Sequence, residues 1–173
     1  IDRPLEEVRR EVRALEAQVE ADPLLNTIPS VQKRVASGGF FFHACKDTPD
    51  VRAVLLRYLR ELPCEAEMVV ARKIPALFEK QHHGREEEFY ADLLAHLIKN
   101  RLKRAGTLVL NVAERGSSTR EKVLTDALRL ATERATKKWG GENLKARAVF
   151  NVQDPRTEPL LTVSDYLCWA VQR

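Results

Sequence analysis

The stretch TLVLNVA, residues 107–113, is the clearest strand in the sequence, and the fold class follows from what surrounds it. Its apolar side chains run almost without a break, which is typical of a buried strand. Downstream, a helical pattern leads to residues 145–152, whose alternation of apolar and polar side chains predicts a half-buried strand. Upstream, residues 40–42 and 64–72 are also predicted to be strands, with a helix after each. This alternation predicts an α/β domain with a largely parallel sheet flanked by helices.

The chain begins with a helix that has one apolar side. The helix falls within residues 1–22, and Asp22-Pro23 ends it because the residue before a proline is pushed out of the helical region. The apolar side consists of Leu5, Val8, Val12, Leu15 and Val19. No strand of the predicted sheet is assigned to cover this side. We therefore expect the helix to pack on the domain or on a second copy of itself, with a homodimer preferred.

The remaining helices are marked by their first residues. Helices are predicted to begin at Pro29, at Pro49 and after the capping residues Ser117–Thr119. A polar connector is predicted for residues 79–85, and residues 161–173 are predicted to form the last helix.

The overall composition is that of one ordinary globular protein. Of 173 residues, 44% are hydrophobic and 31% charged, so we expect residues 1–173 to form a single domain rather than a disordered chain. No apolar run approaches the roughly 20 residues of a membrane span, and we expect no membrane partner. The scattered Cys45, Cys64 and Cys168 fit reduced thiols in a cytoplasmic protein. The formal charge of +4 permits nucleic acid as a partner without requiring it.

Polar residues that follow the predicted strands are the first candidates for a functional site, because chemistry in α/β sheets gathers at the carboxyl ends of strands. His43 directly follows residues 40–42, with Asp47 four positions later, and Glu114 directly follows residues 107–113. Asp165 lies in the otherwise apolar last helix. A carboxylate is costly there unless it is paired, bound to a metal or facing a cleft.

Each candidate also has a structural interpretation. Asp165 can cap its helix together with Ser164, Glu114 can form a surface ion pair with Arg115, and His43 can be a hydrogen-bonded core residue. Several chemistries lack their motifs, because the sequence has no Gly-x-Gly-x-x-Gly, no Walker phosphate loop, no His-Glu-x-x-His and no Cys-x-x-Cys. Hydride transfer, P-loop ATP hydrolysis and zinc proteolysis therefore have no support.

Several short motifs occur in a fixed order along the chain. They are FFHACKD at 41–47 with PDVR at 49–52, VVARK at 69–73, EFY at 88–90, AERG at 113–116, and TVSDY at 162–166 with Trp169. Their order and spacing resemble those of the Domain of Unknown Function 3800 family. The last helix of that family typically carries Ala-Asp-Tyr, which Ser164-Asp165-Tyr166 matches with one small-residue change. The resemblance covers nearly the whole chain from about residue 20 onward.

The resemblance implies an RNase H-like fold, with a mixed sheet flanked by helices and a carboxylate cluster that binds Mg²⁺ or Mn²⁺. Hard divalent ions take oxygen ligands, and a pair of them activates water and stabilises the leaving oxygen. The implied metal ligands are Glu114, Asp165 and Asp47, and His43 completes or flanks the catalytic set. The implied function is that of a metal-dependent nuclease or another nucleic-acid-processing domain that hydrolyses phosphodiester bonds.

The sequence departs from the family pattern in two places. Members usually begin with a strand that bears Asp-Glu-Ser-Gly, whose Asp is a central metal ligand, and we expect this N-terminal strand to be missing. Members also often have Asp just before the lysine that corresponds to Lys73, where this chain has Ala71-Arg72. The alternative expectation is therefore a non-catalytic interaction domain, in which the same carboxylates make buried polar contacts.

Overall fold

The computed structural model describes residues 1–103, 106–114, 121–140 and 146–172. Within them the protein is mixed α and β, as predicted. In chain order the elements are α1 (Leu5–Ala21), a 3₁₀ turn (Leu25–Thr27), α2 (Pro29–Ala36), α3 (Pro49–Glu61), α4 (Pro75–His82), α5 (Glu86–Ile98), a second 3₁₀ turn (Arg101–Lys103), β1 (Gly106–Ala113), α6 (Glu121–Trp139), β2 (Ala146–Gln153) and α7 (Pro159–Val171).

The chain divides into two compact units. The first unit combines residues 1–66 with residues 153–173, and the second unit is residues 67–152. The first unit therefore contains α1, α2, α3 and α7, while the second contains α4, α5, α6 and the strands. Both units fall within the span predicted to be one domain.

The apolar side of α1 is covered within the same chain. Val8, Val12 and Val19 are fully buried, and α1 packs against α3 and α7. The helix ends at Ala21, and Asp22 is extended as the following proline requires. The predicted helix is thus confirmed. The reason for expecting a homodimer through it is removed, because its own unit supplies the partner surface.

The aromatic segment at residues 40–42 is buried but is not a strand, so that prediction was wrong. Phe40 and Phe42 lie in the core of the first unit, with their rings 5.1 Å apart and nearly perpendicular. No described strand runs beside them. Burial among helices therefore accounts for the apolar pattern that resembled a strand.

The segment at residues 64–72 also contains no strand in the structure, and that prediction was wrong as well. It is apolar in sequence but mostly exposed, and it contains no helix, turn or bend. Apolar content indicates a strand only if another strand pairs with it, and none of the described strands does.

The second unit is built on the βαβ arrangement that the sequence predicts. β1 and β2 form a two-stranded parallel sheet, with α6 as the connection between them. The predicted strands at 107–113 and 145–152 are confirmed as β1 and β2 to within a residue or two, apart from residue 145, which lies outside the described part. The helices α5 and α6 pack on each other through a core that consists of Ala95, Ile98, Leu102, Ala131 and Ala135. Ser117–Thr119, the predicted cap of α6, lie outside the described residues.

Two further features concern the helices and the cysteines. No helix in the described part of the chain has the length and apolar character needed to cross a membrane. Cys45, Cys64 and Cys168 are free thiols.

Candidate functional site

Residues 43–47 form a tight turn that leads into α3. The backbone N–H groups of Lys46 and Asp47 both donate to the carbonyl of His43, each at 2.9 Å. The carboxylate of Asp47 accepts a hydrogen bond from the backbone N–H of His43 at 2.8 Å. Asp47 therefore closes the turn through its side chain as well as its backbone. The turn places His43 and Asp47, two of the predicted site residues, next to each other.

The carboxylate of Asp47 is buried and fully engaged. Its Oδ1 lies 2.5 Å from Nη2 of Arg34, and its Oδ2 accepts a hydrogen bond from the hydroxyl of Tyr166 at 2.5 Å. Its side chain has no exposed surface, and that of Arg34 is 9% exposed. A buried carboxylate is tolerated only with such compensation. Asp47 therefore holds the core of the first unit together, with no oxygen facing solvent.

Arg34 uses its whole guanidinium group inside this cluster. Its Nε donates to the carbonyl of Ser30 at 3.0 Å, and its Nη1 donates to the carbonyl of Phe41 at 2.8 Å. The guanidinium carbon also lies 4.7 Å from the centre of the Phe40 ring. Arg34 thereby ties the end of α2 to the aromatic segment and, through Asp47, to the turn.

α7 contributes Tyr166 to the same buried cluster as Arg34 and Asp47. The residue is fully buried, and its ring is 6.1 Å from that of Phe42 in an edge-on arrangement. Burial and the negative charge of Asp47 raise the pKa of Tyr166 well above its ordinary value. The phenol therefore stays protonated and acts as a hydrogen-bond donor.

Asp165, the preceding residue on α7, reaches the other side of the same turn. Its Oδ2 accepts a hydrogen bond from the backbone N–H of Ala44 at 2.8 Å, and Nδ1 of His43 lies 3.4 Å from the same oxygen. The two side chains are 40% and 32% exposed, so the pair lies at the surface. Nδ1 of His43 is itself buried and has no hydrogen bond to a described residue. The structure thus pairs an imidazole with a carboxylate at an accessible position.

The structural interpretation of Asp165 as a helix cap was wrong. α7 begins at Pro159, one turn and a half before Asp165, and Glu158 caps it by accepting a hydrogen bond from the N–H of Leu160 at 3.0 Å. Asp165 lies in the body of the helix and is held by the turn at residues 43–47.

Glu114 lies in the second unit. It is exposed and directly follows β1, as the sequence predicts. Arg115, its suggested ion-pair partner, lies outside the described residues. The first unit therefore brings together three of the four predicted site residues, which are His43, Asp47 and Asp165.

The predicted metal ligands fit a divalent ion unequally. Asp47 does not fit, because Arg34, Tyr166 and the N–H of His43 already occupy its oxygens. Asp165 fits better, since it is accessible and only its Oδ2 accepts a hydrogen bond from a described residue. Among the described residues, no group of three or more His, Cys, Asp or Glu side chains is arranged to hold a metal. The described residues of the first unit therefore offer Asp165, with His43 beside it.

Sequence reasoning missed the two arginines that build the site. Besides Arg34, Arg52 donates to the carbonyls of Ala44, at 2.9 Å, and Asp47, and its guanidinium carbon lies 4.6 Å from the centre of the Trp169 ring. The available signal was the position of Arg34, one turn after the buried Val31 on a short helix. A charged residue on a buried face requires a buried counter-charge.

No protein-family model, curated protein or solved structure matches this chain.

Proposed function

We propose that this chain is an RNase H-like nucleic-acid-processing domain that hydrolyses phosphodiester bonds, as its resemblance to the Domain of Unknown Function 3800 family implies. The observation that carries the proposal is the pairing of His43 with Asp165. These residues are far apart in the sequence, yet Nδ1 of His43 lies 3.4 Å from an oxygen of Asp165 at the surface. A carboxylate in the body of an apolar helix is costly unless it is paired, bound to a metal or facing a cleft.

Asp165 is the residue that we assign to a divalent ion. The N–H of Ala44 fixes one carboxylate oxygen, which orients the other. When bound, Mg²⁺ or Mn²⁺ would supply the charge that activates water and stabilises the leaving oxygen. Glu114, which the resemblance also implies as a ligand, belongs to the second unit. Asp47 has a different role in this proposal, because it positions the turn that carries His43 and Ala44.

His43 is the residue that we assign to proton transfer. A carboxylate facing Nδ1 favours the tautomer with its proton on that nitrogen, which leaves Nε2 as the acceptor. A histidine oriented in this way can take a proton from an attacking water at Nε2.

The charge and the cysteines fit a nucleic-acid partner in the cytoplasm. Lys46 is exposed in the same turn as His43, and the chain carries a formal charge of +4. Positive side chains near the site would attract the phosphate backbone. The free thiols of Cys45, Cys64 and Cys168 fit a reducing compartment.

The test compares Asp165→Asn with Asp126→Asn, whose side chain on α6 is similarly exposed, at 42% against 40%. Melting curves are recorded with and without Mn²⁺, and cleavage is followed on single- and double-stranded DNA and RNA. We expect Mn²⁺ to raise the melting temperature of the wild type and of Asp126→Asn. We expect Asp165→Asn to match the wild type without metal, because the amide oxygen still accepts from Ala44, and to gain nothing from Mn²⁺.

His43→Gln separates proton transfer from metal binding. This variant is expected to keep its stabilisation by Mn²⁺ and to lose cleavage by a factor of about 10²–10⁴, the usual contribution of a general base. A wild type that neither gains stability from millimolar Mn²⁺ nor cleaves any of the four substrates contradicts the proposal.

The second candidate is a non-catalytic interaction domain, and the ion pair of Asp47 with Arg34 favours it. Asp47, one of the predicted metal ligands, is engaged in a buried structural ion pair, as that alternative expects. Under this alternative, Mn²⁺ stabilises neither the wild type nor Asp165→Asn, and Asp165→Ala, which removes the acceptor for the N–H of Ala44, lowers stability equally with and without the ion.

A further inference from the structure

The segment from Glu67 to Lys73 presents an exposed apolar surface on the second unit. Every residue of the segment is exposed, and Val70 has 78% of its surface accessible. Met68 and Val69 are exposed by 41% and 40%. Consecutive exposed apolar residues of this kind usually mark a place where another chain binds.

The backbone of this segment is also unpaired. It contains no helix, strand, turn or bend, and its N–H and C=O groups make no backbone hydrogen bond with any described residue. The apolar run from Met68 to Ala71 is the pattern from which the sequence predicts a strand there, and its two valines favour an extended backbone. Unpaired N–H and C=O groups on such a segment form a template for an added strand.

We propose that residues 67–73 pair with the same residues of a second copy of this chain, as two antiparallel strands related by a two-fold axis at Val70. This inference is independent of the proposed function, because it uses none of its residues. A two-fold pair is self-complementary, so one segment supplies both sides of the contact.

Charge complementarity selects the second copy and the antiparallel direction. The segment carries Glu67 at its beginning and Arg72 and Lys73 at its end. With the axis at Val70, Glu67 lies opposite the partner's Lys73, and this pair occurs twice. Met68 then faces the partner's Arg72, and Val70 faces the partner's Val70. Parallel pairing in register would instead place like charges side by side, which is destabilising.

The unit already holds both ends of the segment in place. Glu67 forms an ion pair with Arg101 at 2.7 Å. Lys73 pairs with Glu86, and its Nζ lies 4.7 Å from the centre of the Phe78 ring. Glu67 and Lys73 nevertheless keep 51% and 40% of their side chains exposed, so each can also face a partner. A segment fixed at both ends loses less freedom when it binds.

The test measures the mass of the full chain by light scattering over a dilution series. Val70→Lys places two lysines opposite each other at the axis, and it does not disturb the core because 78% of the surface of Val70 is accessible. Val109→Lys is the matched control, since Val109 is 56% exposed on β1 of the same unit. We expect the wild type and Val109→Lys to be dimers at high concentration and Val70→Lys to be a monomer.

Charge reversal tests the register. Glu67→Lys and Lys73→Glu each place like charges opposite each other, so each is expected to weaken the dimer at least tenfold, and an equimolar mixture of the two variants is expected to pair again, because every lysine then faces a glutamate of the other chain. Hydrogen exchange of the amides at residues 68–72 is expected to slow in the wild type as concentration rises. A wild type that stays monomeric at every concentration overturns the inference, and so does a dimer that survives Val70→Lys and both single reversals.

Discussion

Nη2 of Arg34 lies 2.5 Å from Oδ1 of Asp47 inside the first unit, and these two side chains organise the turn that carries the candidate site. Arg34 comes from α2 and Asp47 from the turn before α3, so the ion pair joins two parts of the chain. Asp47 also receives the hydroxyl of Tyr166 from α7. The position of His43 and Asp165 therefore depends on contacts that lie beneath them.

Removal of Arg34 is expected to be strongly destabilising. Arg34→Met leaves the carboxylate of Asp47 buried without its counter-charge, and the free energy of unfolding should fall by about 3–5 kcal/mol. Urea unfolding measures the change. Arg129→Met is the control, because its ion pairs on α6 are exposed and should be worth less than about 1 kcal/mol. Equal losses of unfolding free energy in the two variants would contradict a larger contribution from the buried ion pair.

The buried phenol of Tyr166 predicts a loss of stability at alkaline pH. Its pKa is raised by burial and by Asp47, so above about pH 10 the unfolded chain releases a proton that the folded chain keeps. Stability therefore falls as pH rises. Tyr166→Phe should reduce this slope by up to about 1.4 kcal/mol per pH unit. Burial and Glu11 raise the pKa of Tyr58 to about 12, so a part of the slope remains in the variant. Unchanged slopes in denaturant titrations at about pH 10 and 11 would contradict the assignment.

Asp92 predicts a loss of stability in acid. Burial acts to raise the pKa of Asp92, but the hydrogen bond and charge of Arg134, together with His96 and His82, outweigh it, and the net pKa is lowered. The contribution of Asp92 is therefore complete above the unfolded value of about 4 and is lost as pH falls through the lower folded value. Asp92→Asn should be less stable than the wild type at neutral pH, with a difference that shrinks in acid. Melting curves from about pH 7 to 3 measure it, and a constant difference would contradict this account.

Removal of the charge on Glu16 is expected to raise the stability of the protein. Burial raises the pKa of Glu16 more than Arg13 and the N–H of Phe42 lower it. The ionised form is therefore less stable in the folded chain than in the unfolded one, and this cost is present above the folded pKa. Glu16→Gln keeps an acceptor oxygen and should raise stability at pH 7 by less than about 1 kcal/mol, with the gain vanishing toward pH 4. A variant that melts below the wild type at pH 7 would show that the pair with Arg13 outweighs burial.

Local patterns were sufficient for the elements whose partners are close in sequence. The periodic valines of α1 and the βα pattern around β1 were read correctly, because a helix makes its hydrogen bonds within itself and a parallel strand pair needs only the connecting helix. α4 was missed, because His82 is its one buried residue and it has no apolar stripe to read.

Partners distant in sequence could not be predicted from local patterns. Burial of Phe40 and Phe42 among helices gives the same apolar string as a strand. At the site, the sequence identified His43, Asp47 and Asp165 as candidate residues. It did not show that Asp47 is buried in a structural contact whereas Asp165 is accessible. The difference between Asp47 and Asp165 depends on Arg34, which reaches one carboxylate and not the other.

The return of α7 to the first unit also sets an order of assembly during synthesis. The second unit is continuous from Glu67 to Val152, whereas the first unit requires Tyr166 and Glu158 from the part of the chain that follows it. Glu158 binds Arg9 of α1 through both carboxylate oxygens, at 3.0–3.1 Å, so α1 is not secured until α7 has left the ribosome. The ribosome therefore delivers every residue of the second unit before the first unit can close. The part of α1 that α7 covers therefore lacks its partner for that whole interval, which makes it a surface that a nascent-chain chaperone would meet.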